Sequence, residues 1–114
     1  MTNWSYDAEQ QIGKLAVEQG VTISQVCQLK AELLLGLNEA HRVVFDMKAA
    51  NAVDLAGLQL LCSAHRFAVA HGKELLLTGA GDRTHELVRA AGFIRGSLCN
   101  IGKDVPCFWA KMAR

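Results

Sequence analysis

The chain has 114 residues, about half hydrophobic and a fifth charged, which is enough for one domain with a real core and too few for a second. Twelve basic residues against eleven acidic ones leave a formal charge of +1, so the chain carries no electrostatic footprint for nucleic acid. Its apolar runs are too short to cross a bilayer, and Met1-Thr2-Asn3-Trp4-Ser5-Tyr6-Asp7 has neither the basic nor the apolar region of a signal peptide; the expectation is a cytoplasmic chain without direct membrane insertion.

Residues 1–11 read as an N-terminal extension. Residues 12–18 form an extended candidate, and Gly20 punctuates the chain before Val21-Thr22-Ile23. Ser24 is a natural N-cap for a helix running to about residue 39, where Val26, Leu29, Leu33 and Leu37 step by three or four. Leu34 and Leu35 would widen that stripe against a sheet. His41-Arg42-Val43-Val44-Phe45-Asp46-Met47 is a buried-strand candidate, and Glu74-Leu75-Leu76-Leu77-Thr78 is a second. The helix between them, residues 57–71, ends at Gly72. Strand, helix and strand with short joints make a βαβ unit with parallel strands and a right-handed crossover.

A third helix is expected over residues 83–91, with Asp82 as its N-cap and Leu87, Val88 and Ala91 on one face. Beyond it, residues 95–114 read as a C-terminal extension that packs back on the domain. Cys27 and Cys62 fall in helical patterns and read as small core residues. Cys99 and Cys107 are close enough in sequence to pair or bind metal, but free thiols in a reducing compartment are the simpler reading, and no metal or cofactor is expected.

Turning 100° per residue from Leu58 divides the central helix into two faces. Leu58, Leu61, Cys62, Ala68 and Val69 share an arc that must meet the sheet, with His65 near its middle. Gln59, Ser63 and Arg66 are polar on the other side. Leu60 and Phe67, with Ala64 nearby, also lie outside the core arc, as a partner surface or as a seat for the C-terminal tail.

The junction ahead of this helix, Asp54-Leu55-Ala56-Gly57-Leu58, joins an acidic residue, a short loop and a glycine where free N–H groups and a positive dipole end are available. Two other chemistries read more weakly. Gly79-Ala80-Gly81-Asp82 follows a strand and precedes a helix, as an anion site would, yet it lacks a third glycine and a P-loop lysine, and Asp82 repels phosphate. Cys62, His65 and His71 share a helix, but Cys62 is on the core arc, where a reactive thiolate would have no access. The chain does not read as an enzyme.

Gly20-Val21-Thr22-Ile23, Val43-Val44-Phe45-Asp46-Met47, Val53-Asp54-Leu55-Ala56-Gly57-Leu58-Gln59-Leu60-Leu61, Ala70-His71-Gly72-Lys73-Glu74-Leu75-Leu76-Leu77 and Leu87-Val88-Arg89-Ala90-Ala91-Gly92-Phe93, in this order and spacing, resemble the STAS domains of anti-sigma-factor antagonists and related bacterial regulators. The resemblance implies a single α/β domain over residues 1–114, with a four- or five-stranded mixed sheet backed by helices. It implies a non-catalytic regulatory module that binds a protein: an anti-sigma kinase, a chemotaxis component, or the ATPase of a lipid-transport ABC system to which the chain would be an accessory subunit. A homodimer stays open, and so does a small nucleotide- or anion-binding domain.

By the same resemblance the partner surface is Asp54, Leu55, Ala56, Gly57, Leu58 and Leu60. The family's phospho-acceptor falls on Ala56, which has no hydroxyl, and the preceding position, serine or threonine in several subfamilies, is Leu55. Phosphorylation at the junction is therefore expected to be lost.

Overall fold

The computed structural model describes residues 2–91. The expected extension at the N-terminus contains a strand, β1 (Thr2–Asp7), which pairs antiparallel with β2 (Ile12–Val17) from Thr2 opposite Val17 to Asp7 opposite Ile12. A short β3 (Gly20–Val21) precedes α1 (Val26–Glu39), and β4 (Arg42–Asp46) follows. Then come β5 (Ala52–Val53), α2 (Leu55–Ala70), β6 (Glu74–Thr78) and α3 (Asp82–Ala90). Among the described residues the main sheet is four-stranded and mixed, in the order β1-β2-β4-β6, and three helices accompany it. β2, β4 and β6 run parallel, while β3 and β5 form a separate two-stranded parallel ladder.

The strand alternation decides which face is covered. Leu15, Val17, Val43, Phe45, Leu75 and Leu77 are buried, and their neighbours point to the opposite, less covered face. Two successive crossovers in one direction, each of the usual right hand, put α1 and α2 on the same side. α1 rests on β2 and β4, α2 on β6, and the two helices touch each other. Leu29, Leu33 and Leu37 of α1 meet Leu58, Leu61 and Ala68 of α2 over Phe45 in one core cluster. On the opposite face Lys14 pairs with Asp46 at 3.3 Å and Arg42 with Glu74 at 3.2 Å. The second is exposed on both sides and contributes little stability; in the first only Lys14 is well exposed, Asp46 being mostly covered.

Trp4 fastens β1 to the helix layer. A Cβ on Gly13 would lie 2.0 Å from its ring, and one on Gly36 would lie 2.9 Å away, so the indole occupies the space that two missing side chains leave. The Thr2 hydroxyl donates to Glu32 of α1 at the same edge.

Several sequence expectations are corrected. α1 begins at Val26, and Ser24 is not its cap: the Gln25 N–H reaches the Thr22 carbonyl at 2.9 Å in a tight turn, so Ser24 lies exposed in that turn. α3 begins at Asp82, with Gly81 in the cap position and no side-chain cap bond, so Asp82 acts within the first turn. Leu34 and Leu35 do not widen the core stripe; they are 39% and 69% exposed. Cys27 is exposed rather than buried, and Cys62 only half-buried. The expected C-terminal extension, residues 95–114, with Cys99 and Cys107, lies outside the described residues.

Candidate partner-docking surface

The junction is built around one carboxylate. α2 starts at Leu55, two residues earlier than the sequence pattern indicates, because Asp54 is its N-cap. Asp54 Oδ1 accepts the Gly57 N–H at 3.0 Å, and Oδ2 accepts the Ile23 N–H at 2.9 Å. One side chain thus satisfies an orphan amide of α2 and holds the loop leading into α1. The Asp54 N–H completes the tie by donating to the Val21 carbonyl at 3.2 Å.

These bonds set the charge. The Ile23 amide, then the Gly57 amide, hold the Asp54 carboxyl below its ordinary range; burial opposes them and the Ala56 amide adds to them. Asp54 is an anion at neutral pH, with each carboxylate oxygen accepting from a main-chain donor.

Gly57 is fixed by contact. A Cβ there would lie 2.0 Å from the Val21 carbonyl oxygen, a distance no real side chain tolerates. The glycine lets the first turn of α2 press on the β3–β5 ladder, where Gly20 faces Ala52 and Val21 faces Val53.

Of the six residues expected to meet a partner, the fold presents four. Leu55 is 46% exposed, while Asp54, Ala56 and Leu60 are half-buried. Gly57 is buried and Leu58 fully so, because the turn of α2 aims Leu58 at the sheet; these two support the surface from beneath. Ile23 belongs to the same rim, although nothing local in the sequence marks it. It is 66% exposed beside Asp54, held there by the long-range bond to the Asp54 carboxylate and by the tie of the Asp54 N–H to the Val21 carbonyl. The alternation in Val21-Thr22-Ile23 marks a strand, not a rim.

From this rim a groove of about 520 Å³ runs between α1 and α2. Val26, Leu33, Leu34 and Leu37 line one wall, and Ala56, Leu60, Ala64 and Phe67 the other; Lys30, Gln59 and Ser63 are its polar members. The outer stripe of α2 read from the sequence is therefore one wall of a two-helix groove. Phe67, on that wall, stacks on His71 with ring centroids 4.1 Å apart.

The weaker chemistries do not assemble. In Gly79-Ala80-Gly81-Asp82, Gly79 has φ +74° and lies against the Lys48 amide and the Asp46 carboxylate. That carboxylate and Asp82 place negative charge where an anion would sit. His65 is buried in the core face of α2, and His71 lies nine positions beyond Cys62, about 13 Å along a helix axis, so the three do not converge. Among the described residues no helix is long and apolar enough to cross a membrane.

A mixed sheet with parallel β2, β4 and β6, backed by helices and carrying an acid-capped helix at its crossover, is the STAS fold. A family model described as "Mlab, STAS domain" matches residues 4–99, and the chain belongs to that family. No curated protein matches its sequence. Solved structures match the fold. A proposed anti-sigma factor antagonist from Thermotoga maritima superposes with a TM-score of 0.70 at 11% identity, covering 81% of this chain and 79% of that one. The phosphorylated form of the Bacillus cell-fate determinant SpoIIAA gives 0.63 at 11% identity, covering 81% and 84%. A sulfate transporter family protein from Wolinella succinogenes gives 0.64 at 18% identity, covering 84% and 75%.

Proposed function

We propose that the chain is a non-catalytic regulatory binding module of the anti-sigma-factor-antagonist type, whose protein partner docks over Asp54, Leu55, Ala56 and Leu60. The carrying observation is the rim itself: Leu55 and Ile23 stand exposed on either side of an aspartate whose two carboxylate oxygens each accept from a main-chain amide, at the mouth of an apolar groove. Large apolar anchors at the centre of a patch with polar groups around them fit ordinary interface anatomy.

SpoIIAA exists in phosphorylated and unphosphorylated forms. Residues 54–60 of this chain contain no serine or threonine, and Ala56 stands where the family resemblance puts the acceptor. Docking here works without a phosphate switch at the junction. Among the partners the resemblance leaves open to such a module is the ATPase of a lipid-transport ABC system, to which this chain would be an accessory subunit.

The test is capture of the tagged chain from its own cells, comparing wild type with Leu55→Asp by quantitative mass spectrometry. The expected result is an ABC-type ATPase or an anti-sigma kinase on the wild type, lost with Leu55→Asp while the circular dichroism melt stays unchanged. Equal recovery of that partner on both would overturn the reading.

A further inference from the structure

We infer that the outer edge of β1 is a self-association surface, on which the same strand of a second copy pairs antiparallel to join two four-stranded sheets into one of eight. Among the described residues no strand pairs with this edge. Edges of six residues are ordinarily blunted by proline, lysine, a bulge or a cover. Thr2–Asp7 has no proline and no basic residue, keeps a continuous register with β2, and carries a single charge at its far end. All of it but Thr2 is exposed.

The surface beside the edge points the same way. Trp4 and Tyr6 stack with centroids 6.4 Å apart on the helix-bearing side, and each is over a third exposed. Next to them a recess of about 390 Å³ opens between β1 and α1, lined by Trp4, Leu15, Leu35 and Gly36 with Glu32 and Glu39 at its border. Leu35, 69% exposed, belongs to neither the core nor the α1–α2 groove. Main-chain donors and an apolar shelf thus lie along one edge.

A second copy fits because the strand is complementary to itself. Two copies pairing antiparallel at this edge are related by a two-fold axis normal to the sheet, so both helix layers stay on one side. Residues opposite each other must then share a face, which restricts the register to one centred on a residue. Centred on Ser5, the pairing sets Ser5 against Ser5 and Trp4 against Tyr6 twice on the helix side. Tyr6 of each copy comes to the recess beside Trp4 of the other, and Asp7 falls opposite neutral Asn3. Cross-strand aromatic pairs of this kind are favourable, and no like charges oppose.

The experiment uses the full chain in sedimentation velocity and in mild oxidation. The expected wild type is a concentration-dependent dimer at high micromolar concentration. Ser5→Lys, which opposes two cations at the axis, should halve the mass with an unchanged dichroism spectrum. Ser5→Cys puts two Cβ atoms about 5 Å apart across the axis and should form a covalent dimer beyond the wild-type background. Asn3→Cys separates its thiols by about 14 Å and should not. A wild type that stays monomeric overturns the inference. A dimer that survives Ser5→Lys and gives no Ser5→Cys cross-link also overturns it, and assigns the contact to the α1–α2 groove or the edge to another segment of the chain.

Discussion

The Asp54 carboxylate and the Ile23 amide, separated by 31 positions in the chain, meet at 2.9 Å. That bond and the one from Gly57 at 3.0 Å make Asp54 a clasp between two helix starts, not only a cap. Replacing Asp54 with alanine should cost about 1–2 kcal/mol, the upper part of the range for a lost N-cap, because two donors are stranded instead of one. Urea denaturation of both proteins measures it.

The same clasp has a pH signature. The folded carboxyl of Asp54 sits below its ordinary value, held there first by the Ile23 amide and then by Gly57. A depressed folded pKa contributes stability above the unfolded value of about 4 and loses it as pH falls through the folded one. The stability gap between wild type and Asp54→Asn should therefore be constant from neutral pH down to about 5 and close below about 4. A gap that widens in acid would contradict the geometry.

Gly57→Ala tests sign as well as size. Helix propensity alone favours alanine by about 1 kcal/mol. The new Cβ would meet the Val21 carbonyl oxygen at 2.0 Å, a backbone atom that cannot rotate away. The clash wins, and net destabilisation of about 1–3 kcal/mol is expected in thermal or chemical unfolding.

Trp4 and Gly36 should show coupling of the same origin. Trp4→Ala removes a large ring that is partly exposed and should cost about 2 kcal/mol, less than a fully buried tryptophan. Gly36→Ala pushes a methyl toward that ring and should destabilise the wild type. In the Trp4→Ala background the same change should stabilise by up to about 1 kcal/mol, since only helix propensity remains. A double-mutant cycle reads the reversal.

Leu58 and Leu55 separate core from surface within one turn. Leu58→Ala should cost about 2–5 kcal/mol, whereas Leu55→Ala should stay within about 0.5 kcal/mol. Equal effects on stability would mean that Leu55 is not presented outward.

The parallel core was legible because β4 and β6 are short apolar runs flanked by turn residues and α2 has a clear apolar arc. β1 is not legible as a strand, and the sequence presents it as part of an N-terminal extension. Its Trp4 and Tyr6 alternate with Asn3, Ser5 and Asp7, but an edge strand with most of its surface exposed lacks the hydrophobic weight that marks a buried one. Local pattern puts the cap of α1 at Ser24 and the start of α2 at Gly57, whereas a turn closed from the Gln25 N–H to the Thr22 carbonyl precedes α1 and the Asp54 carboxylate caps α2 through the Gly57 N–H. The candidate site is half legible: Asp54 and Leu55 stand out in sequence, while Ile23 joins them through a bond spanning 31 positions.

The two-rung ladder of β3 and β5 hangs both helix openings from one support, with Gly20 facing Ala52 and Val21 facing Val53. A protein docking there, as proposed, would encounter a patch set in advance and forfeit little chain entropy in ordering it. Its capture would proceed at ordinary diffusional rates, leaving residence time to distinguish a strong ligand from a weak one.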